Sequence, residues 1–214
     1  MTAVLALETS NDVRPAGTLP PASQAGEFAV MVGQFALLVL VLLAVASEYA
    51  NGAIGSTLQW TPRRSILLVA RTIVPVAAAT LVGTLLTLIA DVVAWAIFPS
   101  LELSLPGLAR SLATVAGVLA AGSLIAVGVA LLLRSTAAAL AFVFMVLLVL
   151  PAVLPGFGVE WMKTVAELLP GSGAAFFLVD APPITTGAAV ALLAAWAAGA
   201  TAIGGASLVR RDAT

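Results

Sequence analysis

The sequence predicts an all-α fold, a polytopic transmembrane helical bundle of five spans, and three observations carry that prediction. First, 62% of the 214 residues are hydrophobic and only 9% are charged, against about 45–50% apolar and about 25% charged in soluble domains. The mean hydropathy of +1.16 agrees. Second, the apolar residues fall into runs of about 20 or more, the length a helix needs to cross the hydrocarbon core of a bilayer. Third, the runs are continuous rather than alternating. Lipid cannot satisfy backbone N–H and C=O groups, so such runs pair them within helices and not in a barrel.

Taken in order, residues 1–27 form an outer loop. Their proline, glycine and acidic residues mark irregular backbone, and the start MTAVLALETS has neither the basic residue nor the sustained apolar core of a cleaved signal peptide. The first span runs from about Phe28 to Ser47, and a polar, glycine-bearing stretch, 48–64, follows it. The second span, about Ile66 to Phe98, is longer than a bilayer requires, so its ends project. It carries Arg71, whose long side chain snorkels to the nearer surface, and Asp91, expected in solvent near the opposite end. Pro75 is expected to kink this helix, with the hydroxyls of Thr72 or Thr80 serving freed carbonyls.

The third span covers about Leu112 to Leu133, and Arg134 with Ser135 leaves room only for a tight turn before the fourth, about Thr136 to Leu154. In the outer segment 155–183, Glu160 with Lys163 and Lys163 with Glu167 are helical neighbours, which predicts a short amphipathic helix. The fifth span runs from about Thr185 to Leu208 and ends on Arg210 and Arg211. Gly117, Ala121, Gly122 and Gly128 in the third span, and Gly187, Gly199, Gly204 and Gly205 in the fifth, allow close helix approach within the chain.

Charge placement sets the orientation. Arg63, Arg64, Arg71, Arg134, Arg210 and Arg211 fall on one side of five spans, whereas Arg14, Arg110 and Lys163 share the other with most of the acidic residues. Basic residues in short loops stay in the cytoplasm, so the N-terminus is expected outside and the C-terminus inside. Lys163 is the single lysine against eight arginines, a bias of high-GC bacterial genomes, which points to a bacterial inner (plasma) membrane.

Several functions are disfavoured. The chain has no cysteine and no histidine, which removes thiolate and imidazole catalysis and the commonest metal ligands. No paired intramembrane carboxylates offer a general acid and base, so no catalytic residue, metal site or enzyme is expected. A net charge of -1 offers no basic field for nucleic acid. There is no glycine-rich phosphate loop closing on lysine and serine or threonine, so the chain does not hydrolyse ATP by that route.

The stretch from Ser47 to Arg71, SEYANGAIGSTLQWTPRRSILLVAR, is the most informative. Ile54 and Leu58 are four apart and share a helix face. Trp60 suits the headgroup region, Pro62 stops the segment, and Arg63 and Arg64 meet anionic lipid or acidic protein. On these grounds alone the segment is either an interfacial helix with a partner or a lipid-associated loop. The pattern, however, resembles that of permeases of the type-2 ABC exporter class, especially actinobacterial ones. Glu48, Tyr49, Gly52, Thr57, Leu58, Pro62, Arg63 and Arg64 carry the likeness, and Arg71 stands where the family often has lysine. The similarity continues through the tight turn at Arg134 and an outer re-entrant or interfacial segment ending in LLPGSGAAFF, Leu168 to Phe177.

The resemblance implies a single permease domain over 1–214 that dimerises with a second copy or a related permease. It implies two cytoplasmic ABC ATPase subunits, which hold the ATP and Mg, and export by alternating access; no cofactor is bound by this chain. The segment from Glu48 to Trp60 becomes a coupling helix, and Glu48, Tyr49, Gly52, Ile54, Leu58, Arg63 and Arg64 are the residues of the coupling site. The family usually has six spans with the N-terminus inside. Residues Met1 to Glu27 therefore take the place of a first outer loop and MTAVLAL reads as the stub of a lost first helix; either the chain start is misassigned or the protein is a short form, and a six-span permease encoded nearby is expected. The alternatives are a secondary carrier or channel, or an accessory membrane scaffold subunit. The apolar spans suit an amphipathic or lipid-like cargo but name none.

Overall fold

The computed structural model describes residues 21–50, 64–98, 100–179 and 185–211. Seven helical stretches fill them: α1 (Ser23–Ala50), α2 (Arg64–Ile97), α3 (Leu105–Leu133), α4 (Thr136–Phe157), α5 (Glu160–Glu167), α6 (Pro170–Val179) and α7 (Thr186–Arg211). Five of them, α1 to α4 and α7, are long and apolar enough to cross a membrane. The described residues form a helical bundle, and its five long apolar helices are those of a multi-pass membrane protein.

Two helices begin earlier than their apolar runs. α1 starts at Ser23 rather than Phe28, so the end of the expected loop 1–27 is helical. Its start is held from outside the helix: the Ala22 N–H donates to the Glu102 carbonyl at 2.9 Å. α3 starts at Leu105 rather than Leu112, with Pro106 in its first turn, where a missing N–H costs nothing. Arg110, expected on the outer side of the third span, falls within its first turns.

The spans run alternately between two ends. At one, the carboxylate end, lie Glu27, Asp91, Glu102, Glu160 and Glu167 with Arg110 and Lys163; at the other, the arginine end, lie Arg71 and Arg134. α3 is the central helix, with 67% of its apolar stretch buried, whereas α2 at 17% lies at the periphery. Leu38, Leu42 and Val45 of α1 pack with Ile125, Val127 and Leu131 of α3 and Ala139 and Val143 of α4. Nearer the carboxylate end, Val30, Val115 and Leu119 pack with Ala174 and Leu178 of α6 and Leu193 of α7. α6 thus turns back into the bundle instead of lying on its surface.

The connections follow local chemistry. Arg134 closes α3 in the left-handed region (φ 52°), its N–H reaching the Ala130 carbonyl at 3.0 Å, and the Ser135 hydroxyl oxygen caps α4 by accepting the Ala138 N–H at 3.4 Å. α3 and α7 cross where glycines permit: a side chain on Gly128 would collide with the Ala200 backbone, and one on Gly204 with that of Gly128. The Ser207 hydroxyl donates to the Leu131 carbonyl at 3.1 Å and ties the same helices at the arginine end. Gly117, Gly187 and Gly199 meet no atom of the described residues and take no part in this packing.

α4 is regular only to Phe144. It passes through a π turn at Met145–Val149, an α turn at Leu150–Val153 and a 3₁₀ turn at Leu154–Phe157. Pro151 and Pro155 lie in these turns, and each lacks the N–H that a regular helix would donate four residues back. α2, in contrast, runs continuously through Pro75. The Thr80 hydroxyl has no hydrogen-bond partner among the described residues, so it does not serve a freed carbonyl there.

Candidate functional site

Of the expected coupling residues, those whose backbone is described lie at the arginine end. Glu48 and Tyr49 fall in the last turn of α1 and Arg64 opens α2. The side chains of those three, and Gly52, Ile54, Leu58 and Arg63 altogether, lie outside the described residues.

At the carboxylate end the structure forms a cavity of about 430 Å³ between α1, α4, α5 and α6, within the range of small-ligand sites. Its walls come from local irregularity. The π turn brings Leu147 and Leu148 to it together with Pro151, and Gly171 of α6 comes so close to the Leu147 carbonyl that a side chain there would collide. From α1, Met31, Gln34 and Phe35 share one helix face, and from α5 come Lys163 and Glu167. Phe35 is braced edge-to-face by Phe144, with centroids 5.6 Å apart. Two further grooves among the described residues, between α1 and α4 and between α3 and α7, carry no charged or amide side chain.

The polar groups of this cavity are unevenly used. Gln34, only 8% exposed, donates its amide N–H to the Met31 carbonyl of its own helix at 3.2 Å. Lys163 is paired with Glu160 at 2.7 Å, and the Ser172 hydroxyl donates to the Ala166 carbonyl at 2.6 Å. Each of these side chains makes one hydrogen bond, and the Gln34 amide and the Lys163 ammonium keep further N–H groups. The Gln34 carbonyl oxygen and the Glu167 carboxylate line the same space and accept no hydrogen bond among the described residues. What faces a ligand is a mostly apolar wall carrying both donors and acceptors.

A second polar feature lies near the same end. Asp91 of α2 is fully buried, and one carboxylate oxygen accepts the Gly26 N–H at 2.8 Å. Gly26 belongs to the first turn of α1, whose N–H groups have no partner within the helix and whose positive dipole end favours an anion. Asp91 thus caps a neighbouring helix. The expectation of a solvated Asp91 is corrected: α1, extended to Ser23, covers it. Thr87, one turn earlier, is also buried and donates its hydroxyl to the Gly83 carbonyl at 2.9 Å. The second oxygen of Asp91 has no partner among the described residues.

Compared with protein families, with curated proteins and with solved structures, the chain matches none.

Of the cavity, sequence reasoning had singled out Lys163 and Glu167 as members of an amphipathic helix but had missed Gln34. A signal for Gln34 was present: it is the lone amide in the apolar run from Phe28 to Ala46, and a polar group there needs a partner or a cavity. Pro151 and Pro155, four apart, announced the irregular end of α4.

Proposed function

We propose that this chain is the membrane-spanning permease subunit of an ATP-driven exporter of the type-2 ABC class. It is set in a bacterial inner membrane with the N-terminus outside and the C-terminus inside. The observation that carries this reading is the sequence from the end of α1 to the start of α2, where Glu48, Tyr49, Gly52, Thr57, Leu58, Pro62, Arg63 and Arg64 repeat the spacing of the family's coupling segment. The gathering of arginines at the end where this segment lies supports its exposure to the cytoplasm. The pair α5 and α6, which turns back into the bundle at the opposite end, supports the reading further, since the family carries an outer re-entrant element there.

In this reading Ile54 and Leu58 seat in a groove of an ABC ATPase, which binds ATP and Mg and supplies the energy. Permease and ATPase each act as pairs, the second permease being another copy or a related chain. The test is co-purification in mild detergent with ATPase subunits encoded nearby. An ATPase retained by the wild-type chain and lost on Glu48→Arg or Leu58→Arg supports the permease. No association under any nucleotide condition removes it.

Asp91 favours a second reading, a secondary carrier, because buried intramembrane carboxylates often mark ion pathways. Transport driven by an ion gradient in liposomes holding this chain alone would select it.

A further inference from the structure

We infer that residues 148–169, the irregular end of α4 together with α5, form a lid over the cavity that swings about a base where Leu147 meets Gly171. The two ends of the segment come together there, since a side chain on Gly171 would collide with the Leu147 carbonyl. On either side of this base the chain is fixed. Val143 and Leu147 belong to the core of the bundle, and so do Ala174 and Leu178 of α6. Between the fixed points the packing stops: of residues 148–168 only Ala166 is buried. The end of α4 and α5 pack chiefly on each other and on α6, and segments with few buried contacts are the first to open.

The hinge has a cause in the sequence. In a regular helix the Leu147 carbonyl would accept the N–H of residue 151, and Pro151 has none. A π turn at Met145–Val149 and a 3₁₀ turn at Leu154–Phe157 replace the regular ladder, and such irregular turns within a helix often mark a hinge. A latch closes the other side. The Trp196 indole N–H of α7 donates to the Leu168 carbonyl at 2.9 Å, and the Ser172 hydroxyl of α6 donates to the Ala166 carbonyl at 2.6 Å. Both carbonyls lie at the end of α5, where a helix leaves its last C=O groups without partners of its own. Charge adds nothing to this latch, because Lys163 pairs with Glu160 inside the lid. The cavity fills the space between, with Leu148, Pro151 and Lys163 on the lid and Gln34, Phe35 and Ala175 on the bundle. Swinging the lid therefore opens the cavity at the carboxylate end. As the outlet of an exporter the lid rests on the permease reading; as a moving element it does not.

The chain has no native cysteine, so paired nitroxide labels report single distances. Thr164→Cys on the lid with Leu86→Cys on α2, both exposed, follow the lid, and Leu86→Cys with Val190→Cys on α7 follow the bundle. Pulsed electron paramagnetic resonance is recorded on the whole chain in lipid nanodiscs without any ATPase. Trp196→Phe, which removes the N–H and keeps a ring, is expected to raise the ratio of displaced to resting lid distances about fivefold, and Ser172→Ala by a similar factor. The reference pair is expected to stay unchanged in both. Ser172→Ala removes a single oxygen, so it decides the matter should Trp196→Phe fold poorly. A lid distance indifferent to both variants, or a reference distance that shifts alongside it, overturns the inference. Because no ATPase takes part, failure here is separable from failure to recruit one.

Discussion

Asp91 and Gly26 illustrate how much one side chain decides in an apolar bundle. A carboxylate enclosed by protein is destabilising unless it is matched, and here the match is the unpaired N–H of a helix start. Asp91→Leu leaves the Gly26 N–H buried without an acceptor and is expected to lower stability by about 1–3 kcal/mol. Asp91→Asn, which keeps a carbonyl oxygen at that place, recovers much of the loss. Thermal unfolding in mild detergent measures both, and equal stability of Asp91→Leu and wild type would show that the hydrogen bond carries no weight. The pairing was not legible beforehand. Asp91 was visible near the end of a long run, but which helix covers it depended on α1 starting at Ser23, and Gln24, Gly26 and Glu27 read as loop when periodicity alone is considered.

At the scale of elements, the apolar runs announced the helices because length in hydrocarbon is a strong constraint. The ends were less legible, since capping by Glu102 and Asp91 is a tertiary effect invisible along the chain. Helix contacts were legible only in part. Glycines on the third and fifth spans were expected to pack within the chain, and Gly128 and Gly204 do so, whereas Gly117, Gly187 and Gly199 face open space. A run of small residues states where close approach is allowed, and the partner helix chooses among them. Gly204→Leu, which drives a side chain into the Gly128 backbone, is therefore expected to destabilise by about 1–3 kcal/mol or more, while Gly199→Leu is tolerated. Resistance of the two variants to stepwise SDS unfolding separates them, and equal effects would deny the α3–α7 crossing its special contact.

Over the whole molecule, one central helix, α3, is wrapped by α1, α4, α6 and α7, and α2 stands at the edge joined chiefly to α1 and α3. The two ends differ in chemistry, with Arg71 and Arg134 at one and most of the described carboxylates, with a cavity lined by Lys163 and Glu167, at the other. Composition alone made the membrane class legible, whereas the cavity required the π turn, the return of α6 and the side-chain hydrogen bonds together. The permease reading assigns a task to each end: coupling at the arginine end, substrate at the carboxylate end. The most direct test is a site-specific crosslink in native membranes. A photoreactive maleimide is attached to Leu58→Cys, and in a separate protein to Leu168→Cys at the opposite end, each co-expressed with the neighbouring ATPase. A permease of this class gives a covalent adduct with the ATPase from position 58 and none from 168. No adduct from 58, or an adduct from 168 instead, contradicts it.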